Sequence, residues 1–159
     1  MPQRYIDTTL FDLFKVGPGP SSSHTIGPMK AGHHFAETCA ALPRDLLVRA
    51  VRFRVRLYGS LSATGTGHGT DAAVVAGLLG TAPESCPAGL LQELMDDPHT
   101  RRKRSLGDGQ VSVCVDDVSH DAIIHDFPYS NTLVADLLDA EDKVLHSQEY
   151  YSVGGGFIP

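Results

Sequence analysis

Residues 51–58 read VRFRVRLY, and their alternation constrains the fold more than any other stretch. Val51, Phe53, Val55 and Leu57 fall on one side of a period-two chain; Arg52, Arg54, Arg56 and Tyr58 fall on the other. A helix cannot hold residues spaced by two on one face, whereas a half-buried strand does so by construction. A strand with one apolar side needs a second layer to cover it. The arginine side is expected to be solvated, with an acidic partner surface as the less favoured occupant.

Helices supply the covering layer. Met29, Gly32, Ala36, Cys39 and Ala40 recur at helical spacing. Pro28 is tolerated only in a first turn, so this helix begins near residues 25–27, and Pro43 ends it. The run AAVVAGLLG after Thr70-Asp71 is apolar all round and predicts a buried helix, with Thr70 as N-cap and Gly80 as the stop. Further helical segments are expected over residues 9–15 and 88–97, the latter with Leu90, Leu91 and Leu94 inward. Strands are expected over 110–115, 122–126, 132–138 and 144–152, with Asp139 to Asp142 as a hairpin turn. The basic run Arg101-Arg102-Lys103-Arg104 reads as a solvated loop. Helices and strands mix without β-α-β alternation, which predicts an α+β fold with a mostly antiparallel sheet and helices packed on it.

The 159 residues suit a single domain spanning 1–159. With 42% hydrophobic and 20% charged residues the composition is that of a globular protein. A net charge of −6 argues against nucleic acid as a partner. No apolar run approaches the roughly 18 residues of a membrane span, and residues 1–10, with Arg4 and Asp7, do not form a signal peptide. A cytoplasmic location is expected. Cys39, Cys86 and Cys114 are scattered and odd in number, unlike a disulfide framework or a metal site.

Two loops carry the candidate chemistry. GPGPSSSHTIGP, residues 17–28, presents Ser21, Ser22, Ser23, His24 and Thr25 before a helix. GSLSATGTGHG, residues 59–69, presents small hydroxyls and His68 before Thr70 and Asp71. A helix N-terminus favours anions, hydroxyls donate hydrogen bonds, and histidine moves protons near neutral pH. The competing reading is turn serines that bond their own backbone and a histidine beside a cap. A metal site of His24, His68 and Asp71 has suitable ligand types but no short-range ligand spacing. His33 and His34 diverge on a helix and are expected at the surface.

DLFKVGPGPSSSHTIGPMKAG, LYGSLSATGTGHGTD and YYSVGGGFI occur in that order. Together they resemble the N-terminal, or β, domain of bacterial iron–sulfur-dependent L-serine dehydratases (L-serine ammonia-lyases). Two positions depart from the family pattern: Thr66, where members often have Lys, and Tyr129, where many have His before the Ser130-Asn131 pair. The resemblance implies a fold similar to the allosteric substrate-binding domain of some phosphoglycerate dehydrogenases. It implies conversion of L-serine to pyruvate and ammonia, and a homo-oligomer. It also implies a [4Fe-4S] cluster whose ligands lie outside this chain, in an α domain or α subunit following Pro159. Under it, His24 and His68 are the proton-transfer candidates. Ser21, Ser22, Ser23, Thr25, Asp71 and Asn131 are the substrate-binding ones, with Asp71 orienting His68 or meeting the substrate ammonium. The alternative is a regulatory serine-binding module without catalytic residues.

Overall fold

The computed structural model describes residues 26–59, 69–87, 89–107, 109–120, 132–153 and 156–158. The segments expected at 9–15 and 122–126 lie outside these residues.

The alternating stretch is strand β1 (Ala50–Tyr58), and the sheet is built around it. The other strands are β2 (Arg102–Leu106), β3 (Gly109–Val113), β4 (Val118–His120), β5 (Thr132–Asp139), β6 (Val144–Val153) and β7 (Gly156–Ile158). Their order is β2-β3-β1-β5-β6-β7, with β4 also paired to β1. Four pairings are antiparallel; β1 runs parallel to β3 and to β4. The fold is therefore α+β with a mostly antiparallel but mixed sheet. Parallel neighbours need a long crossover, which the helices between β1 and β3 provide.

Among the described residues four α-helices precede or interrupt the strands: α1 (Gly27–Ala40), α2 (Arg44–Leu47), α3 (Thr70–Leu78) and α4 (Leu90–Asp96). Helix α1 carries proline in its first turn, as the sequence requires, but its cap position is Ile26 with helical dihedrals and no side-chain cap bond. Met29, Gly32, Ala36 and Cys39 are buried as expected, Phe35 joins them, and Ala40 is exposed. In α3 the cap is Gly69 at φ +84°, and Thr70 is already the first helical residue. A threonine capping from position 69 would need that left-handed conformation, which suits glycine. At the other end Gly80 (φ +106°) donates to Gly77 O at 2.9 Å and Thr81 to Ala76 O at 3.0 Å, a Schellman closure.

Phe53, Val55 and Leu57 meet Leu137, Ala135 and Leu133 across the β1–β5 pair, and all six are fully buried in a core that includes α1 and α3. The two helices touch backbone to backbone. A Cβ on Gly77 would sit 2.1 Å from Met29 O, and one on Gly32 would sit 2.4 Å from Val74 O. Only hydrogen fits at either position.

Three further expectations are corrected. Val51 is 38% exposed, because a register irregularity in the β1–β5 pairing between Ala50 and Arg52 takes it off the apolar side. The basic run is not a loop: residues 102–104 belong to β2, a strand at the end of the sheet order, where charged side chains deter further pairing. The arginine side of β1 is only about one-third exposed and pairs with acidic residues of the same chain. Arg54 and Arg56 both bond Oδ2 of the fully buried Asp136, Arg54 Nη2 at 2.8 Å and Arg56 Nη2 at 3.0 Å. Arg52 bonds Asp117 at 3.1 Å and Asp142 at 3.0 Å.

Candidate functional site

One end of the sheet gathers the points from which two segments that hold site candidates leave, residues 59–69 with His68 and residues 121–131 with Asn131. Leu57 pairs with His120, Tyr58 with Thr132, and Thr132 with Tyr151. The last residues of β1 and β4 and the first of β5 thus lie side by side. Residues 59–69 follow β1 and residues 121–131 join β4 to β5, so both open from this end.

Helix α3 returns to the same place. Asp71 is in its first turn, where the helix dipole favours negative charge. Its carboxylate meets His120 Nε2, at 3.0 Å from Oδ1 and 3.1 Å from Oδ2, with the hydrogen bond running to Oδ2. The side chains are 22% exposed for His120 and 17% for Asp71. Oδ1 is buried and has no hydrogen bond of its own among the described residues. A carboxylate only accepts, so Nε2 of His120 is the donor in this bond. An acid–imidazole pair of this kind orients a ring for proton transfer and leaves a carboxylate oxygen for a cationic donor.

Of the nominated site residues, the described structure contains Asp71; His24, His68, Ser21, Ser22, Ser23, Thr25 and Asn131 lie outside the described residues, as do Thr66 and Tyr129. His120 is the residue that sequence reasoning missed. It ends a three-residue strand, too short for a period to show, and its partner is 49 residues away.

The expectation for His33 and His34 holds only in part. His34 Nδ1 and the hydroxyl of Tyr150 share a hydrogen bond at 2.7 Å, with the two rings edge-on. Burial pushes the Tyr150 hydroxyl well above its ordinary pKa, which keeps it protonated. Burial, then His33, holds His34 below its ordinary pKa against the pull of Glu37, which keeps it neutral.

A [4Fe-4S] cluster takes cysteine thiolates, four in the common case. The three cysteines here do not fit one. Burial raises all three thiols, Cys39 to about 12, so each favours its protonated form. No group of three potential metal ligands occurs among the described residues. No helix among them is long and apolar enough to cross a membrane.

The family model described as "Serine dehydratase beta chain" matches residues 9–159. The chain belongs to the serine dehydratase beta chain family. Among curated relatives, "L-serine dehydratase 2" of Escherichia coli (strain K12) is 41% identical over 156 residues, which is 94% of this chain and 33% of the relative. "L-serine dehydratase" of Streptomyces coelicolor is 40% identical over 155 residues, with the same shares. "L-serine dehydratase" of Haemophilus influenzae is 37% identical over 153 residues, again covering 94% and 33%. This beta-chain sequence therefore spans about a third of the length of the curated relatives it matches.

Proposed function

We propose that this chain is the β part of an L-serine dehydratase, which converts L-serine to pyruvate and ammonia. It offers substrate-binding and proton-transfer groups to a site completed by an α domain or subunit, which carries a [4Fe-4S] cluster. The whole enzyme works in the cytoplasm as a homo-oligomer. The observation that carries this reading is the Asp71–His120 pair, set where residues 59–69 and 121–131 leave the sheet.

The chemistry asked of these residues is proton transfer and charge recognition. Loss of the α-proton and of the β-hydroxyl from serine gives water and aminoacrylate. Aminoacrylate tautomerises to the imine, and water then releases pyruvate and ammonia. A base near neutrality must take the α-proton, and His24 and His68 have the right type. Ser21, Ser22, Ser23 and Thr25 would hold the substrate carboxylate beside the start of α1, with Asn131 contributing from the second segment. Asp71 orients an imidazole or receives the substrate ammonium on Oδ1, and His120 holds that carboxylate in place.

The test is kcat/KM for L-serine in the full-length enzyme, with cluster content verified spectroscopically. His24→Ala or His68→Ala is expected to lose at least about 100-fold, the usual share of a general base. Asp71→Asn is expected to lose less and to shift the pH profile. Near wild-type values in both histidine variants would falsify the catalytic role.

A further inference from the structure

The end of the sheet away from the Asp71–His120 pair carries a different surface. Strand β1 starts there at Ala50 and rises about 26 Å before Tyr58 reaches the candidate site. The exposed large apolar side chains among the described residues are Val48, Val144 and Val51, at 60%, 49% and 38%. All three stand at this end. Val48 caps α2, Val51 is the second residue of β1, and Val144 opens β6 in a pair with Leu138. Scattered apolar residues on a surface are ordinary; a set confined to one end marks a contact.

Val51 is the informative member. The alternation of β1 would bury it with Phe53, and the register irregularity beside it turns it outward instead. Bulges re-aim side chains in this way. Here the result is an apolar group shared by two clefts, of about 440 and about 190 Å³. Val48, Val51 and Ala140 supply the apolar lining of the larger one. Arg49, Lys143, Asp139 and Glu141 give it two charges of each sign. Asp139 is used within the turn, where its Oδ1 accepts from the amides of Glu141 and Lys143. Arg49 and Lys143 act on it at longer range. Among the described residues the side chains of Lys143 and Glu141 have no hydrogen bond or ion pair, and Arg49 has only a 3.4 Å bond from Nε to Asp45 O.

The mixture of signs selects the occupant. A strongly acidic partner would face Asp139 and Glu141, and a basic one would face Arg49 and Lys143. A neutral apolar segment would strip water from these charges without pairing them. A second copy of this chain, related by a two-fold axis, brings the same valines and the same charges in reversed order. The turn is also rigid: Asp139 N donates to Lys143 O and Asp142 N to Asp139 O, each at 3.0 Å, so contact costs little ordering. We propose that this end of the domain is an isologous self-association surface. Val51 lies at its centre with Val48 and Val144 around it, and Glu141 of each copy sits opposite Arg49 of the other. The proposal deepens the homo-oligomer of the reading above by giving it a location, and it does not rest on the dehydratase chemistry.

Sedimentation equilibrium of the 159-residue chain is the test. A concentration-dependent dimer is expected, with a Kd of about 10 µM for a contact this small. Val51→Glu should raise that Kd at least about tenfold. Arg49→Glu and Glu141→Arg each set like charges opposite one another twice and should do the same. Combining them restores opposite charges, and the double variant should return to within about threefold of the unaltered chain. His24→Ala, which tests the dehydratase reading, should leave the dimer intact, so the two failures are told apart. Circular dichroism checks that each variant folds. Should Val51→Glu not fold, Val48→Glu, at the most exposed of the three valines, decides the matter. Four results would overturn the proposal: a monomer at about 1 mM, a dimer unmoved by the valine variant, a double charge variant no better than its singles, or a dimer lost in His24→Ala but kept in Val51→Glu.

Discussion

The two sides of β1 are made from alternate residues of one strand, and they are held by different physics. Phe53, Val55 and Leu57 enter a core closed by helices that touch through their backbones. Arg52, Arg54 and Arg56 lie over the opposite side and reach three aspartates. The first side is stabilised by apolar burial and close packing, which are intolerant of shape change. The second is stabilised by charge-assisted bonds whose arginines remain about one-third exposed, so solvent screens them.

The sharpest test of this contrast is Gly77→Val. A side chain there collides with Met29 O, and a helix backbone cannot yield locally. The loss should exceed about 4 kcal/mol, and circular dichroism should report a chain that fails to fold. Next comes Phe53→Ala, expected to cost about 3–5 kcal/mol in urea unfolding, since the ring is fully buried against Phe35. On the charged side Asp136→Ala should cost less, about 1–3 kcal/mol. It strands two arginines, but both keep access to water. A loss equal to that of Phe53→Ala would erase the distinction between the sides.

The fourth effect is one of pH and belongs to the helix side. Burial lowers the pKa of His34 and of His146, which stacks on Phe35. Their folded pKa values lie below 6.5, so the unfolded chain binds protons first as pH falls. Stability is therefore full above about pH 7 and declines as pH drops through about 6. His146→Gln should flatten that slope in urea midpoints taken at successive pH values; an unchanged slope would place its origin elsewhere. The smallest effect is Arg52→Ala, expected below about 1 kcal/mol because Asp142 is exposed.

What the sequence made legible was local. The alternation of β1, proline in the first turn of α1, Gly80 after α3 and the turn between β5 and β6 each follow from neighbours in the chain. At that turn Asp139 Oδ1 accepts from the amides of Glu141 and Lys143, at 2.8 and 2.9 Å. What stayed hidden was pairing at a distance. Arg54 finds Asp136 82 residues on, His34 finds Tyr150 116 residues on, and His120 finds Asp71. Period and spacing describe one segment at a time; register between segments is set by the whole sheet. The outward turn of Val51 was hidden for the same reason, since a bulge is a property of a pair of strands.

The crossing of α1 and α3 has a consequence for how such a domain can diversify. Each helix is the continuation of one nominated loop, and the crossing leaves no room between them for a graded series of side chains. Neither helix can be shimmed outward by a methyl group here and a methylene there. Changes in what the loops recognise must therefore be written in the loops themselves, while the chassis beneath them stays at a fixed gauge.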